Sequence, residues 1–500
     1  PVAKTVIRIC NDPVCANAGA EGFMKRMSQQ RDILQAAGKP IGALSIEYAP
    51  CLGLCEHAPA MEMQGARIAR TDTLSYEGLV EGKIRHPRSI VRSEVSHLTI
   101  NCGKNQVTWL VRYHAAGGYA GLRKALAMGS NAVIAEVKNS GLFGRGGAAY
   151  PTGLKWERAA AEDGRKYVVC NAAEAEPGAF KDRVLLEDDP HRVIEGMLIA
   201  GYAVQASKGY FFVRGEYLYQ ITVLAQAVEE ARKAGYLGEN ILGAGFNFDI
   251  EIRRGAGKYV GGEETAVFRA IEGYPAIPHV RPPFPTMSGL FGRPTVVNNV
   301  ETLANVPSIL RYGAAHYREL GTPQSPGTKL FCLSGDVTLP GLYEIPFGTT
   351  LRALIDKLAG GVRGKRGFQA ALIGGASGAF ASAAELDLPL TQEDLSAAGL
   401  PIGSGVITVF DETRNLKDVV LRLANFFAAE SCGKCPACVE GTHGQLAALQ
   451  RLTQGRSAAD DLDRILNTAW TRPENSICGL GQYAALAVQS ALRKWPNLFA

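Results

Sequence analysis

Five hundred residues at 46% hydrophobic are too many for one core, and about three or four domains are expected. A balance of 53 basic against 48 acidic residues, net +5, argues against nucleic acid or an anionic membrane as the main partner. Neither an apolar run of about 20 residues nor a charged-then-apolar leader is seen, so no membrane partner is expected and a cytoplasmic location is.

Residues 4–10 alternate like a strand, 16–37 carry an amphipathic helical pattern, and 44–49 read as a second strand. A cysteine pair caps each strand: Cys10 and Cys15 with four residues between them, Cys51 and Cys55 with three. If the two strands lie side by side, four thiolates gather at one end, which is what a [2Fe–2S] cluster needs. The competing readings are zinc, whose cysteines are usually two residues apart, and an empty domain used only for docking. His57 reads as a polar loop residue. Residues 65–85 finish this first domain, 1–85, and a connector, 86–129, holds a short strand at 107–112 and a helix entered from Gly117.

From 130 to 327 strands and helices alternate: 167–170 and 209–213 read as buried strands and 218–234 as an amphipathic helix, which argues for an α/β layer domain. Its central stretch is 141–156, where Gly144, Gly146 and Gly147 let the backbone approach a ligand and Arg145 and Lys155 supply positive charge. That suits a phosphate-bearing cofactor, although alone it is equally a glycine-rich surface turn. No G-x-G-x-x-G follows a strand with an acidic residue about 20 positions on, so an ordinary Rossmann site is not indicated.

Residues 328–412 form a compact unit with strands at 329–333 and 405–410 and a helix at 350–358; the glycines of 374–378 read as turn formers with a structural role. The last unit, 413–500, reads as helices at 415–430, 436–453, 458–469 and 479–494. Between the first two, Cys432, Cys435 and Cys438 stand two residues apart in turn, and Cys478 heads the last helix. A tight turn can wrap three corners of a [4Fe–4S] cubane while a remote cysteine closes the fourth; zinc, which prefers two separated pairs, is the weaker reading. Lys434, inside the ligand loop, either favours the reduced cluster or is simply solvated. Eleven cysteines, an odd number and mostly clustered, suit metal binding in a reducing compartment better than disulfides. Cys170 and Cys332 read as buried thiols, and Cys102 has no assigned role.

The stretch 141–156, followed in order by 171–183, 255–265 and 294–302, resembles the FMN- and NADH-binding subunit of respiratory complex I and its relatives, the diaphorase subunits of soluble NAD-dependent formate dehydrogenases and NAD-reducing hydrogenases. The resemblance runs from about 115 to 490, and the N-terminal spacing resembles the thioredoxin-like [2Fe–2S] ferredoxins. It implies an α/β multidomain fold: a thioredoxin-like domain, an α/β FMN-binding domain, a ubiquitin-like β-grasp domain and a C-terminal helical bundle. It further implies FMN, NAD, a [4Fe–4S] cluster on Cys432, Cys435, Cys438 and Cys478, and a [2Fe–2S] cluster on Cys10, Cys15, Cys51 and Cys55. By resemblance, Gly144, Arg145, Gly146, Gly147, Lys155, Asn171, Glu174, Gly262, Glu263, Glu264, Asn298 and Asn299 match flavin-facing positions. Glu176 matches a nicotinamide-side acid and Tyr259 a tyrosine beside the flavin; Tyr150 and Phe284 match adenine-stacking rings, and Arg281 stands where the family often has lysine.

Two positions depart from the family's pattern. Ala173 replaces an aspartate and Gly261 a cysteine, which bears on the flavin's potential and retention. The resemblance implies a diaphorase exchanging hydride between NAD and FMN and single electrons with clusters. Fusion to the N-terminal domain and an end at Ala500 without a further cysteine-rich tail favour NAD-dependent formate dehydrogenase; NAD-reducing hydrogenase and a flavin-free docking subunit are the alternatives. The partners implied are a small [2Fe–2S] thioredoxin-like subunit, a large molybdenum- or nickel-containing catalytic subunit, and NADH.

Overall fold

The computed structural model describes residues 5–37, 44–71, 86–456, 458–466 and 469–499. At the N-terminus β1 (Thr5–Cys10) pairs in parallel with β2 (Leu44–Ala49) and antiparallel with β3 (Met61–Met63), which pairs with β4 (Ala66–Ile68), giving the order β2-β1-β3-β4. Helix Ala20–Ala36 joins the parallel pair and buries Phe23 and Met27, one turn apart, against Ile7 and Ile9. Because Cys10 stands opposite Ala49, the residues after both strands emerge at one end, as the sequence pattern requires. The segment expected to finish this domain lies, from residue 72 to 85, outside the described residues.

One sequence expectation fails in the connector. Residues 107–112 do not form a strand: helix Leu110–Ala115 begins there. Thr108 N donates to Asp188 O at 2.8 Å and Leu110 N to Glu230 Oε2 at 3.0 Å, so a distant carboxylate supplies a helix-starting acceptor that local alternation could not reveal.

The second sheet is wholly parallel: β5 (Tyr167–Ala172), β6 (Lys208–Val213), β7 (Asp249–Arg254) and β8 (Thr295–Asn299), in the order β7-β6-β5-β8. Helix Pro190–Val204, buried along nearly its whole length, lies between β5 and β6 in the chain, and Leu218–Lys233 lies between β6 and β7. The chain leaves β5 toward β6 and β7, then returns to place β8 on the other side of β5. That reversal makes the β5/β8 junction a switch point, whose carboxyl end is where open α/β sheets bind ligands.

The third sheet has the order β10-β9-β13-β11-β12, with β9 (Thr328–Gly335) and β13 (Val406–Asp411) parallel at its centre, β10 (Gly341–Pro346) folded back on β9, and β11 (Phe368–Ile373) with β12 (Ala379–Ala381) beyond β13. The expected helix at 350–358 is wound wide: Ala359 N reaches back five residues to Leu354 O at 3.0 Å. The C-terminal unit carries helices Leu416–Glu430, Pro436–Thr453, Asp461–Leu466, Gly479–Tyr483 and Leu486–Lys494. The expected 479–494 helix is thus broken into two, and the end of the expected 458–469 helix falls partly on residues 467–468, outside the described set. Among the described residues no helix is long and apolar enough to cross a membrane.

The N-terminal domain is packed into the domain of the parallel sheet through buried charge. Arg183 pairs with Glu56 of the small domain and, at 2.8 Å, with Glu187. Arg67 donates to Gln220 at 2.6 Å, and Arg214 donates to Cys51 O. These groups are all at most 4% exposed, so each ion must keep its partner to remain buried.

Candidate functional site

The carboxyl ends of β5 and β8 carry Asn171, Asn298 and Asn299 side by side, Asn171 and Asn299 being direct cross-strand partners. Asn171 Nδ2 donates to Gly262 O at 2.8 Å, and Asn298 Oδ1 accepts from Trp156 Nε1 at 2.8 Å. Asn299 Oδ1 caps helix Val300–Tyr312 by accepting from Glu301 N at 3.0 Å. The glycine loop closes over this end. A Cβ on Gly146 would stand 3.1 Å from Asn299 Cβ, one on Gly262 3.2 Å from Ala173 O, and Gly147 holds φ +126. The approach is tight at Gly146 and Gly262, and the backbone angle of Gly147 is one that L side chains rarely adopt.

Lys155 Nζ is anchored by Val297 O at 3.0 Å and lies 3.8 Å from Glu264, leaving donor capacity toward the crevice. Arg145 is different from expectation. It is 1% exposed, its guanidinium lies 4.2 Å from the Phe143 ring centroid and 4.7 Å from that of Phe347, and it donates to Tyr317 Oη at 2.8 Å. Its charge braces the underside of the loop from within the protein, while its neighbours Gly146 and Gly147 are exposed.

Glu174 likewise faces inward: it accepts from Asp182 N at 2.9 Å, Arg183 N at 3.0 Å and Tyr217 Oη at 2.9 Å. It caps helix Lys181–Asp188, and burial, with Asp182 nearby, pushes its carboxyl up to about 7. Glu263 caps helix Glu264–Ile271 through Thr265 N at 2.8 Å and Ala266 N at 3.1 Å, and burial raises its pKa. Glu264 pairs with Arg281 at 2.7 Å. Tyr150 lies beside Lys155 and Arg158, and Phe284 is 53% exposed, so its ring is open to stacking.

The sequence reading missed the charges beneath Asn299. Lys181 Nζ donates to Asn299 Oδ1 at 2.9 Å, Asn299 Nδ2 donates to Asp182 at 2.6 Å, and Glu301 joins Lys181 at 3.1 Å and Lys329 at 2.6 Å. Burial pulls Lys329 down to about 8 despite Glu301. Lys181, Asp182 and Glu301 lie inside two of the diagnostic segments, 171–183 and 294–302; their charge beside buried apolar runs was the available signal.

On the other side of the β5 loop, Glu176 Oε2 accepts from Tyr259 Oη at 2.9 Å and Ser377 Oγ at 2.8 Å. Burial raises the Glu176 pKa, and these two bonds oppose the rise. Tyr259 N donates to Glu430 Oε2 at 2.9 Å, and the Tyr259 ring packs edge-on to Phe426 at 5.3 Å between centroids. Tyr259 and all four C-terminal cysteines share one apolar cluster, with Cys438 and Cys478 each 7% exposed.

The cysteines lie in two groups. Cys51 Sγ lies 3.4 Å from Cys55 Sγ, and Cys15 and Cys51 stand near enough to Cys10 to raise its pKa, so the four buried sulfurs are neighbours. Gly53 N donates to Cys51 Sγ at 3.3 Å, a bond that favours thiolate character. In the C-terminal group, Cys435 and Cys432 raise the Cys438 pKa after burial, and Cys432 and Glu263 act on Cys478, which burial pushes up to about 11. A Cβ on Gly481 would come 3.0 Å from Cys438 Sγ, so the remote helix start closes directly over the three-cysteine turn. Among the described residues no group of three or more His, Cys, Asp or Glu side chains is drawn together closely enough to hold a metal ion. Lys434 reaches away, donating to Pro278 O at 3.2 Å.

Comparison with known proteins agrees with this geometry. Three family descriptions match: a thioredoxin-like [2Fe–2S] ferredoxin over residues 1–82, the Nuo51 FMN-binding domain over 137–308, and the NADH-ubiquinone oxidoreductase-F iron-sulfur binding region over 418–500. An NADH-quinone oxidoreductase subunit of Rhizobium meliloti (strain 1021) is 45% identical over 386 residues, 77% of this chain and 92% of that protein. The NADP-reducing hydrogenase subunit HndC of Solidesulfovibrio fructosivorans is 42% identical over 400 residues, 80% of this chain and 81% of that protein. A chain of an NAD+-reducing [NiFe]-hydrogenase in the air-oxidized state superposes with a TM-score of 0.85 at 31% identity, covering 100% of this chain and 85% of that one. FMN, NAD, a [4Fe–4S] and a [2Fe–2S] cluster are accordingly the cofactors of this chain. The chain belongs to the family of the NADH- and FMN-binding iron–sulfur subunit of complex I, which its hydrogenase diaphorase relatives share.

Proposed function

We propose that the chain is the diaphorase subunit of a soluble, cytoplasmic, NAD-linked multi-subunit dehydrogenase. The supporting observation is the juxtaposition of the β5/β8 crevice with the C-terminal cysteines through Tyr259, which bonds Glu176 on one side and Glu430, two residues before Cys432, on the other. FMN, when bound, converts the two-electron hydride of nicotinamide into single electrons for clusters. The glycine loop presents the backbone N–H groups of Gly146 and Gly147, and Lys155 a cation, to a phosphate, while Gly144 N closes the loop by donating to Tyr150 O at 2.9 Å. Asn171, Asn298 and Asn299 offer amide donors and acceptors to the ribityl chain and ring edge. Glu176 and Tyr259 hold the nicotinamide side, while Tyr150 and Phe284, with Arg281, receive the adenine side. No side chain is required to act as general acid or base. Replacing Lys155 with alanine is expected to lower flavin content while both clusters persist; full flavin retention contradicts this assignment.

Formate is the first substrate we assign to the parent enzyme, oxidised on a separate molybdenum-containing chain. Fusion of the thioredoxin-like domain to the flavin-type domain supports a soluble dehydrogenase of this kind. Hydrogen, oxidised on a nickel-containing chain, is the second reading, favoured by the likeness of the whole chain to the NAD+-reducing hydrogenase. Purifying the native assembly and measuring molybdenum, nickel, and NAD+ reduction by formate or by hydrogen decides between them. Nickel with hydrogen-driven reduction overturns the formate assignment.

A further inference from the structure

The loop 374–378 joining β11 to β12 belongs to the third sheet, yet it reaches the nicotinamide side of the crevice. Gly375, at φ +82, is so close that a Cβ there would lie 2.6 Å from Glu176 Cγ. Two positions on, Ser377 Oγ donates to Glu176 Oε2 at 2.8 Å and Ser377 N to Oε1 at 3.2 Å. Tyr259 Oη occupies Oε2 as well, at 2.9 Å. Oε2 therefore receives two hydroxyl donors, whereas the remaining contacts of the carboxylate are to backbone, Ser377 N at 3.2 Å from Oε1 and Ala376 N beside it, so that the side-chain hydroxyls fix Oε2 and Oε1 is the oxygen without a side-chain donor.

We propose that Ser377 is a positioning residue for NAD binding: it fixes the Glu176 carboxylate so that Oε1 faces a hydroxyl donor of the nucleotide. This rests on the reading of Glu176 as the nicotinamide-side acid. The third domain, read from sequence as structural, thereby contributes to nucleotide affinity. A carboxylate held by two hydroxyls has its rotamer chosen before the ligand arrives, which lowers the entropic cost of binding.

The test is calorimetric titration of the flavin-loaded full chain with NAD+, alongside steady-state NADH oxidation by ferricyanide. Ser377→Ala is expected to weaken NAD+ binding about tenfold and to raise KM in proportion, with kcat changed less than about twofold and flavin content unchanged. Ser377→Thr, which keeps the hydroxyl, is expected to restore affinity. In a Glu176→Ala background the serine substitution is expected to add nothing, because the pair acts as a unit. Wild-type affinity in Ser377→Ala, with a loss in Glu176→Ala, overturns the role of the serine alone. Wild-type affinity in Glu176→Ala overturns the reading of the site beneath it. Flavin loss, or an equal effect of Ser377→Ala on both backgrounds, makes the serine merely structural and also overturns the proposal.

Discussion

Glu174 and Glu176 stand two positions apart on one loop and do different work. Glu174 is closed in by two backbone donors and Tyr217, and burial pushes its carboxyl from the ordinary 4.5 up to about 7. The folded state therefore keeps a proton that the unfolded chain releases between 4.5 and about 7. Its contribution to stability is full below that window and is lost as pH rises through it. Glu174→Gln is expected to flatten the pH dependence of Tm across this window; an unchanged slope in a melting series contradicts the assignment. Glu176, by contrast, is bonded by side chains from two other segments. Glu176→Gln is expected to raise the NADH KM about tenfold while flavin content stays constant, and unchanged turnover would remove it from the nicotinamide site. Both glutamates were legible as members of a motif, but which of them faces the crevice was not. Orientation depends on Asp182, Tyr217 and Ser377, of which the serine is 201 residues from Glu176 in the chain. Arg145 gives the same lesson: a cation in a glycine loop reads as a ligand for phosphate until Phe143, Phe347 and Tyr317 enclose it.

At the scale of elements, buried strands and amphipathic helices were readable because their periodicity is imposed by one face or two faces of burial. β5 and β6 continue apolar runs and lie between other strands in a parallel sheet. The stretch 107–112 was misread because Glu230 caps Leu110 from another helix, a tertiary effect that no window of neighbouring residues contains. The loop 374–378 shows how an apparently plain turn becomes part of a site. Gly375→Ala would place a methyl group 2.6 Å from Glu176 Cγ at a backbone angle strained for any L residue. Loss of NADH affinity with little change in flavin content is expected, and wild-type kinetics in this variant would place the loop outside the site.

For the whole molecule, the two cluster types were legible from cysteine spacing, whereas the buried ion pairs that seat the small domain were invisible in sequence. Arg183 serves Glu56 and Glu187 at once; Glu187 also holds His86 at 2.8 Å and Ser89 at 2.9 Å, so removing the arginine chiefly leaves Glu56, 3% exposed, without its close cation. Arg183→Met is expected to cost about 3–5 kcal/mol, seen as a lower Tm or as release of the N-terminal domain to proteolysis; a melting curve like that of the wild type contradicts the interface. With both clusters filled, iron approaches about six per flavin, and Cys435→Ala is expected to remove the four-iron signal while NADH oxidation by ferricyanide survives. The relay itself is tested most directly by anaerobic titration of the purified chain with NADH under visible spectroscopy. Bleaching of the flavin band together with the broad iron–sulfur absorbance is expected, because Tyr259 joins the crevice to the cluster cysteines. A flavin band that does not respond to NADH, or a chain that binds no flavin, contradicts the diaphorase reading.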